Sequence, residues 1–144
     1  MKEVLKAVTK NSKQTEKFAE AFAREVLRWK NPPAGGRAIL IGLEGELGAG
    51  KTTFAKGFAR GLGIKEEMKS PTFILMRVFR AKKRNFFHID AYRDQLDFRE
   101  FLKDSKNILL VEWSNKVKKF LPKNYFLFKL QHAGRDKREI KFYA

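Results

Sequence analysis

Residues Gly45-Glu46-Leu47-Gly48-Ala49-Gly50-Lys51-Thr52 constrain this chain more than any other stretch. They fit the pattern G-x-x-x-x-G-K-[ST]. Glycines at these places let the backbone curl until successive amides point inward and form a nest for an anion. The helix that follows adds its free N-terminal amides and the positive end of its dipole. The pattern has this meaning only between a strand and a helix, and both are legible. Ala38 to Leu43 is a compact apolar run, as in a strand buried on both faces. From Lys51 to Leu62, residues Phe54, Ala55, Phe58, Ala59 and Leu62 recur on one side of a helix, and Gly63 stops it. Lys51 would then reach the β and γ phosphates of a nucleotide, and the Thr52 hydroxyl would ligate Mg²⁺. The competing reading is a glycine-rich turn that fits by chance.

A phosphate loop needs an acid at the end of a neighbouring strand before it can hydrolyse anything. Leu109-Leu110-Val111-Glu112 supplies one. Glu112 could hold Mg²⁺ or orient water; the alternative is a solvated carboxylate at a strand end. His88-Ile89-Asp90 repeats the arrangement. Asp90 is the candidate acid there, and its alternative is a cap for the next segment. His88 points to the same strand face and reads more simply as a partly buried, hydrogen-bonded imidazole. Ser70-Pro71-Thr72-Phe73 reads equally as a segment sensing a γ phosphate or as an ordinary entry into a strand.

The 144 residues match one domain spanning 1–144, and 33% of them are charged. The balance of 32 Lys+Arg to 16 Asp+Glu gives a net charge of +16, which favours polyanionic partners. With no cysteine, disulfides and thiolate metal sites are excluded, and two histidines are too few for a His-based zinc cluster. The N-terminus shows no signal-peptide pattern, and no stretch approaches a membrane span, so a cytoplasmic location is expected. Five Lys/Arg fall in residues 77–84, and nine against two acids in 113–144. Such clusters attract RNA by counterion release or serve as a solvated face. Phe126, Phe128, Phe142 and Tyr143 could stack on bases, but lie in apparent strands, where core packing is the commoner use.

The remaining elements follow from periodicity. Thr15, Phe18, Ala19, Phe22, Ala23, Val26 and Leu27 predict an amphipathic helix. Asn11 and Ser12 are its candidate caps, and Pro32 and Pro33 should stop it near Asn31. Residues 73–79 and 86–89 predict a hairpin around the basic turn 80–85. One or two helical turns are expected at 97–102 and a buried strand at 108–111. Strands at 125–130 and 139–143 should pair around a turn at 134–136.

In this order, the phosphate loop through Thr53, Ser70-Pro71-Thr72-Phe73, His88-Ile89-Asp90-Ala91-Tyr92-Arg93 and Val111-Glu112-Trp113 resemble the bacterial TsaE (YjeE) proteins. The resemblance covers most of the chain. It implies an α/β, P-loop NTPase-like fold: a mostly parallel central sheet, flanking helices and an antiparallel C-terminal hairpin. It implies Mg²⁺ and ATP as ligands, weak ATPase activity alone, and TsaB and TsaD as partners. TsaD, with TsaB, transfers threonylcarbamoyl to adenosine 37 of tRNA, and ATP hydrolysis by TsaE resets that complex. By this resemblance Gly45, Leu47, Gly48, Ala49, Gly50, Lys51, Thr52, Thr53 and Trp113 bind the nucleotide. Ser12 and Gly134 match positions near its base end. Thr52 and Glu112 are Mg²⁺ ligands, Asp90 is a catalytic or metal-shell acid, and Thr72 belongs to a switch-like segment.

Three features depart from the family pattern. The stretch from Tyr92 to Ile108 is short and lacks an acidic run. Ser114 follows Trp113 where proline is common. The chain is unusually basic. tRNA is expected through the partner complex, with direct contact by the basic surface open.

The implied mechanism is in-line attack of water on the γ phosphate, with Lys51, Asp90 and Glu112 as catalytic residues. No arginine finger is assignable, and Arg93 is a candidate only by its nearness to Asp90. The alternatives are a basic RNA-binding module with a nucleotide-locked shape and a small-molecule kinase. The kinase would need a lid that no insertion after Gly63 is long enough to form.

Overall fold

A computed structural model describes residues 1–29, 37–66, 75–81, 83–93 and 95–144. In chain order the elements are β1 (Glu3–Thr9), α1 (Ser12–Arg28), β2 (Ile39–Glu44), α2 (Lys51–Gly61), β3 (Met76–Arg80) and β4 (Asn85–Asp90). They continue with a 3₁₀ turn at Arg99–Lys103, β5 (Asn107–Glu112), 3₁₀ turns at Ser114–Lys116 and Lys118–Phe120, β6 (Phe126–His132) and β7 (Arg138–Tyr143).

The strands form one sheet in the order β1-β7-β6-β2-β5-β4-β3. The central strands β6, β2, β5 and β4 run parallel, and the outer pairings are antiparallel. Parallel strands need cover on both faces, and β5 accordingly has every residue buried. Because they run in one direction, the C-terminal ends of the four central strands share one end of the sheet, and their beginnings share the other.

Each face is filled differently. Ile39, Ile41 and Leu43 of β2 pack with residues of both α1 and α2, so both helices lie on one face. The helices touch closely because Gly57 carries no side chain: a Cβ there would stand 2.1 Å from the Glu16 carbonyl oxygen. Phe128 is the hub of this layer, 4.8 Å from the Phe22 ring and 4.6 Å from that of Phe142. Phe126, Phe128 and Phe142 thus serve the core. On the other face Leu40, Leu109 and Val111 pack under Phe98, Leu102 and Val117, which come from the 3₁₀ turns and their flanks. Among the described residues, the short chain between β4 and β5 supplies no α-helix for that side.

Local signals explain the ends. The Asn11 side chain accepts a hydrogen bond from the Gln14 amide at 2.9 Å and caps α1; Ser12 is its first helical residue. The helix stops at Arg28, three residues earlier than the prolines suggest. Those prolines lie outside the described residues, as do Phe73 and Ile74 at the expected start of β3. The strand β1 had no sequence signal. It is mostly exposed, carries a bulge between Glu3 and Leu5, and stands on its pairing with β7. Among the described residues, no helix is long and apolar enough to cross a membrane.

Candidate nucleotide-binding site

The buried strand β2 ends at Glu44, and the chain turns through Gly45–Gly50 into α2. Gly45 has φ 154°, and a Cβ on it would meet the Leu130 carbonyl oxygen at 2.4 Å. Only glycine fits there. Gly50 precedes α2 in the left-handed region, and no side chain caps the helix, so its first amides face the loop's interior. The Lys51 ammonium donates to the carbonyls of Gly45 and of Glu46, the latter at 2.8 Å. It lies 4.0 Å from the centre of the Trp113 ring. Burial lowers the Lys51 pKa, opposed by the charges of Glu112, Asp90 and Glu46.

Beneath the loop, side chains from three elements form a chain of hydrogen bonds. The Thr52 hydroxyl donates to Glu112 Oε1 at 3.2 Å. Glu112 Oε2 lies 2.5 Å from His88 Nε2, with the imidazole N–H as donor to the carboxylate. Glu112 and His88 are both buried. Two donors therefore fix the Glu112 carboxylate in one orientation. Asp90 is the cross-strand partner of Glu112 between β4 and β5. Its Oδ1 accepts from the Tyr92 amide at 2.9 Å. Burial raises the Asp90 pKa, and the Glu112 charge adds to the rise. Asp90, Glu112 and the Thr52 hydroxyl are hard oxygen donors. That chemistry suits Mg²⁺, which takes few protein ligands and completes its shell with phosphate and water.

These groups open into a cleft of ≈ 580 Å³. Its lining unites Ser12, Leu47, Gly48, Gly50, Lys51, Thr52, Thr53, Asp90, Glu112 and Trp113 from the expected set. Gly45 and Ala49 do not line it. Gly45 seats the loop on β6, and Ala49 is fully buried beneath it. Gly134 lies in the β6–β7 turn, where its carbonyl accepts from the Lys137 amide at 2.9 Å, and it does not line the cleft either. Its neighbours Asp136 and Arg138 do. Ser70 to Phe73 fall outside the described residues.

Nothing in the sequence marked Arg138, Asn11 or Thr15 as lining the cleft. Arg138 donates to the Gly48 carbonyl at 3.0 Å and so ties the C-terminal hairpin to the phosphate loop. Asn11 and Thr15 bring the start of α1 to the cleft. Trp113 adopts a left-handed backbone, φ 60°, which turns its ring over Lys51 and to within 4.8 Å of the Tyr92 ring. Ser114 behind it packs on β2 where Gly42 leaves room; a Cβ at Gly42 would stand 2.6 Å from its Oγ.

A strand, a glycine-rich loop and a helix, with acids at the ends of adjacent parallel strands, define an α/β protein of the P-loop class. The family model described as "Threonylcarbamoyl adenosine biosynthesis protein TsaE" matches residues 9–140. The TsaE protein of Bacillus subtilis strain 168 is 39% identical over 110 residues, covering 73% of this chain and 69% of that protein. The TsaE protein of Aquifex aeolicus is 35% identical over 145 residues, covering 98% of each. The crystal structure of Bacillus subtilis YdiB superposes with a TM-score of 0.79 at 33% identity, covering 99% of this chain and 86% of that one. The chain belongs to the TsaE family.

Proposed function

We propose that this protein binds ATP with Mg²⁺ and hydrolyses it in support of threonylcarbamoylation of adenosine 37 in tRNA, acting with TsaB and TsaD. The family supports the pathway. The observation that carries the ATPase reading is the buried series Thr52–Glu112–His88 beneath the phosphate loop, with Asp90 beside it.

Each residue then has a part. Loop amides hold the phosphate oxygens. Lys51 exchanges the carbonyls of Gly45 and Glu46 for the β and γ phosphates. Thr52 and Glu112, with Asp90 near, would hold Mg²⁺, which when bound offsets charge developing on the phosphates. Asp90 accepts a hydrogen bond from water and aims it at the γ phosphate. Its raised pKa makes it a better proton acceptor than an ordinary carboxylate. His88 keeps the Glu112 carboxylate in place. Trp113 lies over the Lys51 ammonium and reports on the site. Slow turnover alone and stimulation by the partners fit a cleft in which Arg138 is already held by the carbonyls of Gly48, Arg135 and Lys137.

Trp113 fluorescence tests this reading. A Trp29→Phe background should show saturable quenching by ATP and ADP that weakens without Mg²⁺ and is lost in Lys51→Ala. Adding TsaB, TsaD and tRNA should raise phosphate release. No binding by fluorescence or calorimetry overturns the reading.

A further inference from the structure

The parallel strands gather the nucleotide cleft at their C-terminal ends. Their other ends gather something different. Arg37 precedes β2, Arg80, Lys83 and Arg84 sit at the β3–β4 turn, Lys103 and Lys106 precede β5, and Lys123 precedes β6. Backbone hydrogen bonds hold most of these turns side by side. The Ala38 amide donates to the Leu102 carbonyl at 2.9 Å, and the Asn85 amide to that of Lys106 at 2.9 Å. The Arg84 guanidinium donates to the Ser105 carbonyl at 2.6 Å. The ledge runs from β4 across β5 and β2 to β6, about 14 Å at the usual strand spacing.

Six of the seven cations are exposed, and Arg84 is half-buried. Among the described residues, none of the seven forms a salt bridge. Asp104, in the same turns, accepts the Lys106 amide with its carboxylate. Gathering like charges with so little compensation opposes folding. Among the described residues, the large apolar side chains that stand exposed (Val4, Leu5, Val8, Leu47, Val78 and Tyr92 beside Met1) all lie outside these turns. A protein interface needs an apolar or aromatic centre. A phosphate backbone needs only cations.

We propose that this ledge, at the opposite end of the sheet from the nucleotide cleft, is a binding surface for an RNA phosphate backbone. The choice of RNA among polyanions rests on the tRNA role proposed above. About 17 Å of strand separates the ledge from the phosphate loop. RNA and ATP can therefore be held together.

The test uses a fluorescein-labelled, unmodified tRNA transcript and the full chain, read by anisotropy at several salt concentrations. Three or four phosphate contacts predict a log–log slope of about −3. Arg80→Glu with Lys83→Glu and Lys106→Glu should weaken binding by about tenfold or more and flatten that slope. The control, Lys17→Glu with Lys56→Glu and Lys118→Glu, carries the same charge change on other exposed positions and should cost less than about threefold. Equal losses in the two variants overturn the proposal, as does unchanged binding in the ledge variant. Binding to phosphatidylserine vesicles without binding to RNA overturns it too. Trp113 titration of ATP on the same samples checks folding and separates the two claims. Absence of RNA binding by the unaltered chain with intact ATP binding sinks only the ledge; the reverse sinks only the ATPase reading.

Discussion

At one end of the parallel strands the charges sit among acceptors and donors; at the other most of them face water. In the cleft, Lys51 is held by two carbonyls, Glu112 by two donors, and Asp90 by a backbone amide. On the ledge, the cations form no salt bridge among the described residues. The difference follows from burial. A charge removed from water must be compensated, because an unpaired buried charge is very costly. An exposed one is solvated and can remain unpaired until a polyanion arrives. A pre-set geometry therefore belongs to the cleft, and a salt-sensitive attraction to the ledge.

The comparison can be broken first at Lys51. Lys51→Ala should lower ATP affinity by about 100-fold, the scale of losing a buried charge-assisted donor, and abolish turnover. Isothermal calorimetry and phosphate release read both. Little change in affinity would mean that the loop amides alone bind the nucleotide.

Asp90→Asn separates catalysis from stability. Turnover should fall on the order of 100-fold while ATP still binds. Stability should move the other way. The folded-state pKa of Asp90 lies above its ordinary value, so the native carboxyl holds its proton to higher pH than the unfolded chain does. The group therefore favours the native state in acid, and that contribution is lost as pH rises through the raised pKa. At pH 7 the asparagine variant should melt slightly higher, by about 2 °C, and the gap should close near pH 4. A lower melting temperature at pH 7 would show that the Asp90 carboxylate stabilises the fold.

His88→Phe keeps a ring but removes the donor to Glu112. The buried carboxylate loses one of its two partners, at a cost of about 2 kcal/mol. Thermal melting should drop by about 5 °C. The Mg²⁺ concentration for half-maximal nucleotide binding should rise. An unchanged Mg²⁺ dependence would leave His88 a packing residue only.

The smallest effect belongs to the ledge. Its triple glutamate variant should leave ATP affinity within about twofold, since more than one Debye length separates the two ends at physiological salt. It should melt slightly higher at low salt, as repulsion is relieved, and this gain should vanish at high salt. A loss of ATP affinity would couple the two ends.

Much of this was legible in the residues. The loop, its strand and its helix are local, because glycine placement and apolar spacing act within a few residues. Asp90 and Glu112 could be found because each closes a short apolar run. His88 was legible as a buried imidazole, but not as the partner of Glu112, which is 24 positions away in sequence. Arg138 is 90 positions from Gly48 and carries no pattern of its own. The strand β1 lacks the alternation that a half-buried strand normally shows, since β7 rather than its own pattern sets it.

The amino-acid order by itself determined where the glycine-rich loop between a strand and a helix lies, which strands are buried on both faces, that the molecule is strongly basic, and its family resemblance. Each of those depends on neighbours in sequence or on a sum over residues. The tertiary structure alone decided that both helices share one face and that Glu112 is gripped between Thr52 and His88. It also decided that the cations before four separate strands form one ledge. These arrangements arise when distant segments pair in a common direction, and strand order and orientation are properties of the whole sheet.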